Sequence, residues 1–98
     1  MSVWFIYMIE CSDKSYYTGI STDPDRRFAE HLATHLRQGK KGAKYFYGRK
    51  PIAIVYREQS SNRSTASQRE TVIKKLSRTK KQQLVHAWTI AGSQIDAG

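Results

Sequence analysis

The apolar segment 3–10 limits the possible folds of this chain more than any other feature. Its residues are mainly β-branched, aromatic or long apolar side chains, which favour a strand over a helix. Alternation along a strand sorts them into Val3, Phe5, Tyr7 and Ile9 on one face, and Trp4, Ile6 and Met8 on the other. Because both faces are mostly apolar, we predict that this strand lies at the centre of a sheet.

Two further segments complete the predicted sheet. Residues 12–15, Ser-Asp-Lys-Ser, have the composition of a turn, and strand character resumes at residues 16–20. A β-hairpin is the simplest interpretation, and it brings Tyr7 and Tyr17 into the same neighbourhood. Residues 51–57 are predicted to add a third strand to this sheet. Its apolar residues include Ile52, Ile54 and Val55.

A first helix is predicted between the hairpin and the third strand. Asp23 offers an N-cap and Pro24 suits the first helical position, so the helix should begin there. It should run to about Arg37, before Gly39 stops it. Its apolar stripe consists of Phe28, Leu32 and Leu36.

Two more helices are predicted after the third strand. One runs from Thr65 onward, and its inward-facing residues are Ala66, Val72, Ile73 and Leu76. Thr79 and Gln82 form a capping box that opens the last helix. That helix closes the core with Leu84, Val85 and Trp88. Residues 92–98 are expected to form a flexible tail.

The length of the chain allows one domain. With 98 residues it can bury one hydrophobic core, so we predict a single α+β domain over residues 1–91, followed by the tail. No apolar run approaches the roughly 20 residues of a membrane span, and the N-terminus lacks the basic region of a signal peptide. The lone Cys11 has no partner for a disulfide and is assigned to packing. These features predict a cytoplasmic protein with no membrane partner.

The charge of the chain indicates a polyanionic partner. Seventeen Lys and Arg against eight Asp and Glu give a net charge of +9, which attracts nucleic acids. Part of this charge lies in residues 39–50, an expected loop in which basic and aromatic residues are interleaved and three glycines disfavour regular structure. We call residues 39–50 the basic loop. Its predicted nucleic-acid contacts are Lys40, Lys41, Lys44, Tyr45, Arg49 and Lys50.

Each of these features also has a plainer interpretation. The net charge could serve solubility alone. A second basic run over residues 74–81 could extend the same nucleic-acid groove or be a solvated face. In the basic loop, Tyr45, Phe46 or Tyr47 could stack on an exposed base or pack the loop onto the sheet. We expect at least one of the three to pack.

Three charged or titratable side chains lie near predicted apolar helix faces. Arg27 and His31 are four residues apart, so they leave the first helix in the same direction at the edge of its apolar stripe. Glu70 lies near the buried stripe of the second helix, where a carboxylate needs a cation. One explanation is an ion pair with a Lys or Arg. The other is a Mg²⁺ site, because Mg²⁺ takes only one or two carboxylates and completes its shell with water and phosphate.

These residues occur in an order that is known from one group of enzymes. The ordered set is Phe5-Ile6-Tyr7, Tyr17-Thr18-Gly19, Arg27, His31 and Glu70. It resembles the signature of the GIY-YIG nuclease superfamily, over a span from Trp4 to about Leu84. The chain is most similar to the small stand-alone bacterial proteins of the UPF0213 type. Residues 42–51 are also similar to the segment that follows the motif there and in structure-specific nucleases of the superfamily.

The resemblance implies a fold and an activity. The fold is a three-stranded antiparallel sheet flanked by about three helices, and the activity is hydrolysis of DNA phosphodiester bonds with one divalent metal ion, Mg²⁺ or Mn²⁺. By position, Tyr7 and Tyr17 match the two motif tyrosines, of which the second is the general-base candidate, directly or through a water held by the metal. Arg27 matches the phosphate-stabilising arginine and Glu70 the metal-binding glutamate. His31 matches the histidine that assists proton transfer or orients the tyrosine.

The match has departures. Phe5 stands where the motif has its first glycine, and Thr18 replaces the second isoleucine, although both residues are compatible with a strand. The asparagine that some homing endonucleases carry has no convincing counterpart here. A detailed homing-type mechanism is therefore not expected.

The substrate and two other functions stay open. Because the separate targeting domain of larger nucleases is missing from this chain, we expect a structure-selective or weakly sequence-selective endonuclease, or one guided by a partner protein, in DNA repair or recombination. RNA is an alternative substrate. The other functions are a nucleic-acid-binding module of the same fold without turnover, and a plain interaction protein.

Overall fold

A three-stranded antiparallel sheet lies at the centre of the computed structural model, which describes the backbone of residues 3–97 and the side chains of residues 3–92. The strands are β1, Trp4–Cys11, β2, Tyr16–Ser21, and β3, Pro51–Ser60. Their order is β2-β1-β3, so β1 occupies the central position that its two apolar faces predict. The third strand is longer than expected and ends at Ser60 rather than near residue 57.

The register of the hairpin decides which side chains share a face. Tyr7 lies opposite Gly19, Met8 opposite Thr18 and Ile9 opposite Tyr17. Side chains of directly opposite residues in an antiparallel pair point to the same face of the sheet. Tyr7 and Tyr17 therefore lie on the same face, as diagonal neighbours, and Thr18 lies on the other.

Helices cover both faces of the sheet. They are α1, Pro24–His35, α2, Arg63–Lys74, and α3, Arg78–Ala97, with a short 3₁₀ helix at Lys44–Tyr47 inside the basic loop. On the face covered by α2 and α3 the buried cluster consists of Ile6, Met8, Tyr56, Ala66 and Ile73. On the face covered by α1 and the 3₁₀ helix it consists of Tyr7, Ile9, Cys11 and Phe46. Cys11 is thus a packing residue, as expected.

The predicted buried stripe of α1 is only partly correct, because Phe28 packs against the core while Leu36 does not. Leu36 is exposed, and Phe28 and Leu32 are only half-buried. The buried positions of this helix are instead Pro24, His31 and Thr34. The reason is that α1 packs partly against the basic loop, whose backbone N–H groups require polar partners, so the helix buries polar side chains there.

The end of α1 also differs from the prediction. The helix ends at His35, and Gly39 is not its stop signal. Arg37 takes the left-handed conformation with φ of 60°, while the N–H groups of Arg37 and Gln38 donate to the carbonyl oxygens of Thr34 and Ala33. This pair of bonds is a Schellman motif, which commonly places a glycine where Arg37 stands.

The last two helices begin earlier than predicted. α2 begins at Arg63, because the Asn62 side chain accepts from the N–H of Thr65 at 2.9 Å. α3 begins at Arg78, where Ser77 Oγ accepts from the N–H of Lys80 at 3.2 Å, so the Thr79 capping box does not open it. Val72, predicted to point inward, is exposed, and Trp88 is partly exposed.

The C-terminal end of the domain is helical beyond the predicted boundary. α3 continues through Gly92 to Ala97, so the expected division at residue 91 does not coincide with a helix end. A single glycine weakens a helix without necessarily ending it. Across residues 3–97 no helix is long and apolar enough to cross a membrane.

Candidate active site

A buried hydrogen bond joins β1 to α1 at the centre of the site. The Tyr7 hydroxyl lies 3.0 Å from His31 Nε2, and the two side chains are 1% and 0% exposed. The other ring nitrogen, His31 Nδ1, accepts from the backbone N–H of Ala43 at 3.1 Å. A neutral imidazole that accepts at Nδ1 carries its proton at Nε2. His31 therefore donates to the Tyr7 oxygen, and the Tyr7 proton is left for another acceptor.

Burial fixes the protonation states of this pair. It lowers the pKa of His31 to about 4, with the positive charge of Arg27 acting in the same direction, so His31 is neutral at physiological pH. Burial also raises the pKa of the Tyr7 hydroxyl. Tyr17 and Glu70 raise the pKa of Tyr7 further, whereas Arg27 lowers it. Tyr7 is accordingly a neutral hydroxyl that can donate a hydrogen bond.

A glycine makes room for the Tyr7 side chain. A Cβ atom on Gly19 would lie 2.6 Å from the Tyr7 hydroxyl oxygen and 2.8 Å from its Cζ. Tyr7 thus crosses directly over the backbone of β2, and any larger residue at position 19 would push it away from His31. The glycine of the Tyr17-Thr18-Gly19 motif is needed for this close approach.

Tyr17 is the less buried of the two motif tyrosines. Its ring packs against His31, Tyr45 and Phe46, with ring centroids 5.1, 5.3 and 4.8 Å away. The ring centroids of Tyr7 and Tyr17 are 6.4 Å apart. Burial raises the pKa of the Tyr17 hydroxyl, and Arg27 acts against this effect. Because the side chain is only half-buried, its hydroxyl stays closer to solvent than that of Tyr7.

Arg27 lies at the mouth of the site. Its Nη1 donates to Glu30 Oε1 at 3.0 Å and also to the backbone oxygen of Lys41. These bonds hold the guanidinium between α1 and the basic loop, where its charge influences the pKa of both Tyr7 and Tyr17. A fixed guanidinium next to two hydroxyls is suited to binding a phosphate group.

Glu70 comes to the same place from α2. Its carboxylate is close enough to raise the pKa of both tyrosine hydroxyls. The side chain is 19% exposed, and it pairs with Lys74 Nζ at 3.4 Å, whose side chain is 54% exposed. The predicted ion pair thus exists, but its lysine is largely exposed, and an i,i+4 helical pair contributes only about 0.3–0.5 kcal/mol. Such a weak pair leaves the carboxylate able to bind another cation.

The side chains present fit a Mg²⁺ site of the open kind. Among the side chains that the structure describes, no three His, Cys, Asp or Glu residues cluster together. A closed protein cage for zinc or calcium is therefore not formed by these side chains. A single carboxylate such as Glu70 is sufficient for Mg²⁺ or Mn²⁺ when water and substrate phosphate supply the other ligands.

The basic loop is fastened to α1, which the sequence did not reveal. The Gly42 N–H donates to Thr34 Oγ1 at 2.8 Å, beside the Ala43–His31 bond, and His35 Nδ1 donates to the Phe46 oxygen at 2.9 Å. A Cβ on Gly42 would lie 2.7 Å from the Glu30 backbone oxygen. The sequence feature that could have indicated this contact is that Thr34 and His31 are both polar and lie one helical turn apart, so they share a face of α1.

The other end of the basic loop is tied to the β1–β2 turn. The Tyr45 hydroxyl donates to Ser15 Oγ at 2.7 Å, and Arg49 lies over the Tyr45 ring, 4.4 Å from its centroid. Arg49 also donates to Asp13 Oδ2 at 2.7 Å. Hydrogen bonds from Ser15 and Arg49 lower the pKa of Asp13 to about 2.

These contacts divide the predicted nucleic-acid residues into two groups. Tyr45 and Arg49 already bind other residues of the protein, namely Ser15 and Asp13, although the Arg49 side chain is exposed. Phe46 is fully buried, so the expectation that at least one aromatic residue packs is correct. Tyr47, which was not among the six predicted contacts, is 60% exposed. The exposed predicted contacts besides Arg49 are Lys40, Lys41, Lys44 and Lys50.

One motif position carries an unsatisfied polar group. Thr18, where the motif has isoleucine, is buried, and its Oγ1 has no hydrogen-bond partner among the described residues. Thr18→Val is therefore expected to raise the free energy of unfolding by about 1 kcal/mol, because it removes a desolvated hydroxyl and keeps the shape. Urea denaturation measures this change.

Thr34→Val is the matched control for that substitution. Thr34 is equally buried, but its hydroxyl accepts from the N–H of Gly42. This variant should lose about 1–3 kcal/mol, because it leaves that N–H unpaired. Equal destabilisation by both substitutions would contradict the assignment of Thr18 as the unsatisfied group.

Comparison with known proteins decides the family of this chain. A family model described as the GIY-YIG catalytic domain matches residues 3–83. The chain belongs to the GIY-YIG family. GIY-YIG domains are nuclease domains, and their substrates are nucleic acids. The matched range includes the five residues that the structure brings together, namely Tyr7, Tyr17, Arg27, His31 and Glu70.

Relatives of the chain confirm the narrower similarity. A UPF0213 protein of Desulfotalea psychrophila is 46% identical over 84 residues, which are 86% of this chain and 72% of that protein. A UPF0213 protein of Natronomonas pharaonis is 44% identical over 81 residues, which are 83% and 88% of the two chains. Such relatives come from bacteria and archaea, so the group is wider than the bacterial branch that the sequence suggested.

Solved structures confirm the predicted fold class. The solution structure of a UPF0213 protein from Bacillus halodurans is 40% identical and has a TM-score of 0.52, with 87% of this chain and 84% of that chain covered. The solution structure of a protein from E. faecalis is 30% identical with a TM-score of 0.58, over 92% and 90% of the chains.

Proposed function

We propose that this chain is a metal-dependent endonuclease that hydrolyses DNA phosphodiester bonds. The observation that carries the proposal is the meeting of two tyrosines, an arginine, a neutral histidine and a glutamate from four different elements at one site. By their resemblance to the GIY-YIG motif, each of the five takes a motif position, and the chain belongs to this nuclease family. Glu70 would hold Mg²⁺ or Mn²⁺, which when bound would neutralise charge on the phosphate and lower the pKa of water.

Arg27 and Tyr7 are proposed to bind the scissile phosphate. The guanidinium is fixed by Glu30 and the Lys41 backbone, so it stabilises the extra negative charge of the transition state without reorganising. The Tyr7 oxygen accepts a hydrogen bond from His31 Nε2–H, so the Tyr7 hydroxyl proton is free to be donated to a phosphate oxygen. His31 acts as a positioning residue that orients the Tyr7 hydroxyl.

Tyr17 is proposed to accept the proton of the attacking water. It is the more accessible tyrosine, and it lies on the same face of the sheet as Tyr7. Its raised pKa keeps most of it protonated at neutral pH, and the charge of Arg27 opposes that shift. Tyr17 first loses its proton to solvent, and the resulting phenolate takes one proton from the attacking water as the oxygen of that water bonds to phosphorus. The bond from phosphorus to the leaving oxygen breaks, and solvent protonates that oxygen.

The surroundings support weak sequence selectivity. The exposed lysines of the basic loop contact phosphates without reading bases, because they are flexible cations and offer no paired donors in a fixed plane. We therefore propose that the enzyme selects its substrate by structure or through a partner protein, in DNA repair or recombination. Cytoplasmic localisation and residues 1–91 as the functional unit belong to the same proposal.

The test is cleavage of labelled substrates by the purified chain. Flap, branched, single-stranded and duplex DNA, and a matching RNA set, are incubated with Mg²⁺, with Mn²⁺ or with a chelator. Cleavage that requires the metal supports the proposal, and the preferred substrate identifies the pathway. Salt-dependent binding without cleavage under all conditions would show a binding module that lacks turnover. Neither binding nor cleavage would show an interaction protein.

A further inference from the structure

A small cleft lies beside the proposed active site, at the C-terminal end of α1. Its volume is about 280 Å³, and it is lined by Thr34, Arg37, Gly39, Lys40 and Tyr47. Ligand pockets typically have volumes of about 300–1,000 Å³, so this cleft lies at the lower end and suits a group as small as one base. None of the five proposed catalytic residues lines it.

The aromatic ring in this cleft is held in place although it is exposed. Tyr47 is the last residue of the 3₁₀ helix and is 60% exposed. Its neighbour Phe46 is fully buried, and the Phe46 oxygen accepts from His35. The backbone before the ring is therefore anchored to α1, and little further ordering would be needed for the ring to stack on a ligand.

Two cations accompany the ring. Arg37 and Lys40 line the same cleft, and both are exposed. Arg37 occupies the left-handed position of the Schellman motif, which costs a non-glycine residue about 1–2 kcal/mol. The two hydrogen bonds of this motif fix the backbone at Arg37, so its guanidinium extends from an anchored position beside the exposed ring.

We propose that this cleft binds one unpaired nucleotide of the nucleic acid that the active site cuts. Tyr47 stacks on the base, while Arg37 and Lys40 contact the adjacent phosphates. This inference rests on the proposed function and adds a substrate class to it, namely DNA with an unpaired strand near the cleavage point. Stacking on an aromatic ring with flanking cations is the usual way in which proteins hold single strands.

The position of the cleft relative to His31 places the nucleotide near the active site. Thr34 lines the cleft and follows His31 by three residues of α1, which corresponds to about 4.5 Å along the helix axis. The stacked base therefore belongs to a nucleotide close to the scissile phosphate.

The test compares binding of single-stranded and duplex oligonucleotides in a chelator, so that cleavage does not interfere. Tyr47→Ala should weaken binding of single-stranded DNA about 10-fold or more and change binding of duplex DNA less than about twofold. Tyr47→Phe should bind like the wild type, because it keeps the ring. Trp88→Ala, which removes another partly exposed aromatic residue, should have no such effect.

Salt dependence tests the two cations. Arg37→Gln and Lys40→Gln should each reduce the slope of log affinity against log salt by about 0.7 for single strands. Arg63→Gln, at the exposed start of α2 on the other face of the sheet, is the control and should leave the slope unchanged.

Two results would overturn the inference. If Tyr47→Ala binds single strands like the wild type, or loses single-stranded and duplex binding equally, the cleft does not select an unpaired base, while metal-dependent cleavage can still establish the proposed function. If the wild type binds no nucleic acid at all, the inference and the proposed function fail together.

Discussion

Glu70→Gln is expected to lower the rate of DNA cleavage about 100- to 1,000-fold while the protein stays folded. The change removes a carboxylate whose charge raises the pKa of both motif tyrosines. A neutral amide of the same size cannot neutralise a divalent cation, and loss of one charge-stabilising group typically costs this much in rate. The measurement is the single-turnover cleavage rate at saturating protein, together with the midpoint of urea denaturation for each variant.

Lys74→Gln separates the catalytic interpretation from the ion-pair interpretation. Lys74 is the partner of Glu70, so either substitution breaks the same ion pair and should change stability by less than about 0.5 kcal/mol. If Glu70 binds the metal, Lys74→Gln keeps its cleavage rate at saturating protein. Equal cleavage rates in the wild type and the Glu70→Gln protein would remove Glu70 from the mechanism.

The stability of the fold is expected to fall by about 3 kcal/mol between pH 6.5 and pH 4 because of His31. The pKa of this buried histidine is about 4 in the folded protein and 6.5 in an unperturbed side chain. Below pH 6.5 the unfolded chain binds a proton that the folded protein does not bind, so acid favours unfolding. Above pH 6.5 the contribution is fully present, and below pH 4 it no longer changes. Urea denaturation at several pH values measures the effect.

His31→Gln is the control for this pH dependence. Glutamine does not titrate, and its amide can still accept from the N–H of Ala43 and donate to Tyr7. The difference in unfolding free energy between wild type and variant should therefore shrink as the pH falls from 6.5 to 4. Asp13 does not contribute to this difference, because its pKa is lowered to about 2 and its effect on stability therefore falls below pH 4. Parallel stability curves would show that folding does not lower the pKa of His31.

The sheet was predictable because its signals are local. The alternation along β1 and the polar turn after Cys11 identify a central strand in a hairpin, and the register then places Tyr7 and Tyr17 on the same face. The motif order likewise identified the five residues that meet at the site. The sheet could thus be predicted from residues that are close in sequence, and the site residues from a known ordered motif.

The orientation of α1 was decided by tertiary structure. Sequence periodicity assigns the buried face to apolar residues, but His31 and Thr34 are buried because they accept from the N–H groups of Ala43 and Gly42. Those partners lie 12 and 8 residues away along the chain, and no periodic pattern encodes such a pairing.

The sequence by itself determined the strands, the family motif and the basic charge of this protein, because these depend on residue type and local spacing. Only the tertiary structure decided which loop residues stay free to meet a ligand. Tyr45 and Phe46 are used for internal contacts, while Tyr47 is left exposed, because the hydrogen bonds from α1 and the β1–β2 turn fix how the basic loop is rotated. The hydrogen bond from the Ala43 N–H to His31 fixes the tautomer of His31. Tyr7 therefore accepts from His31 and donates its own proton elsewhere.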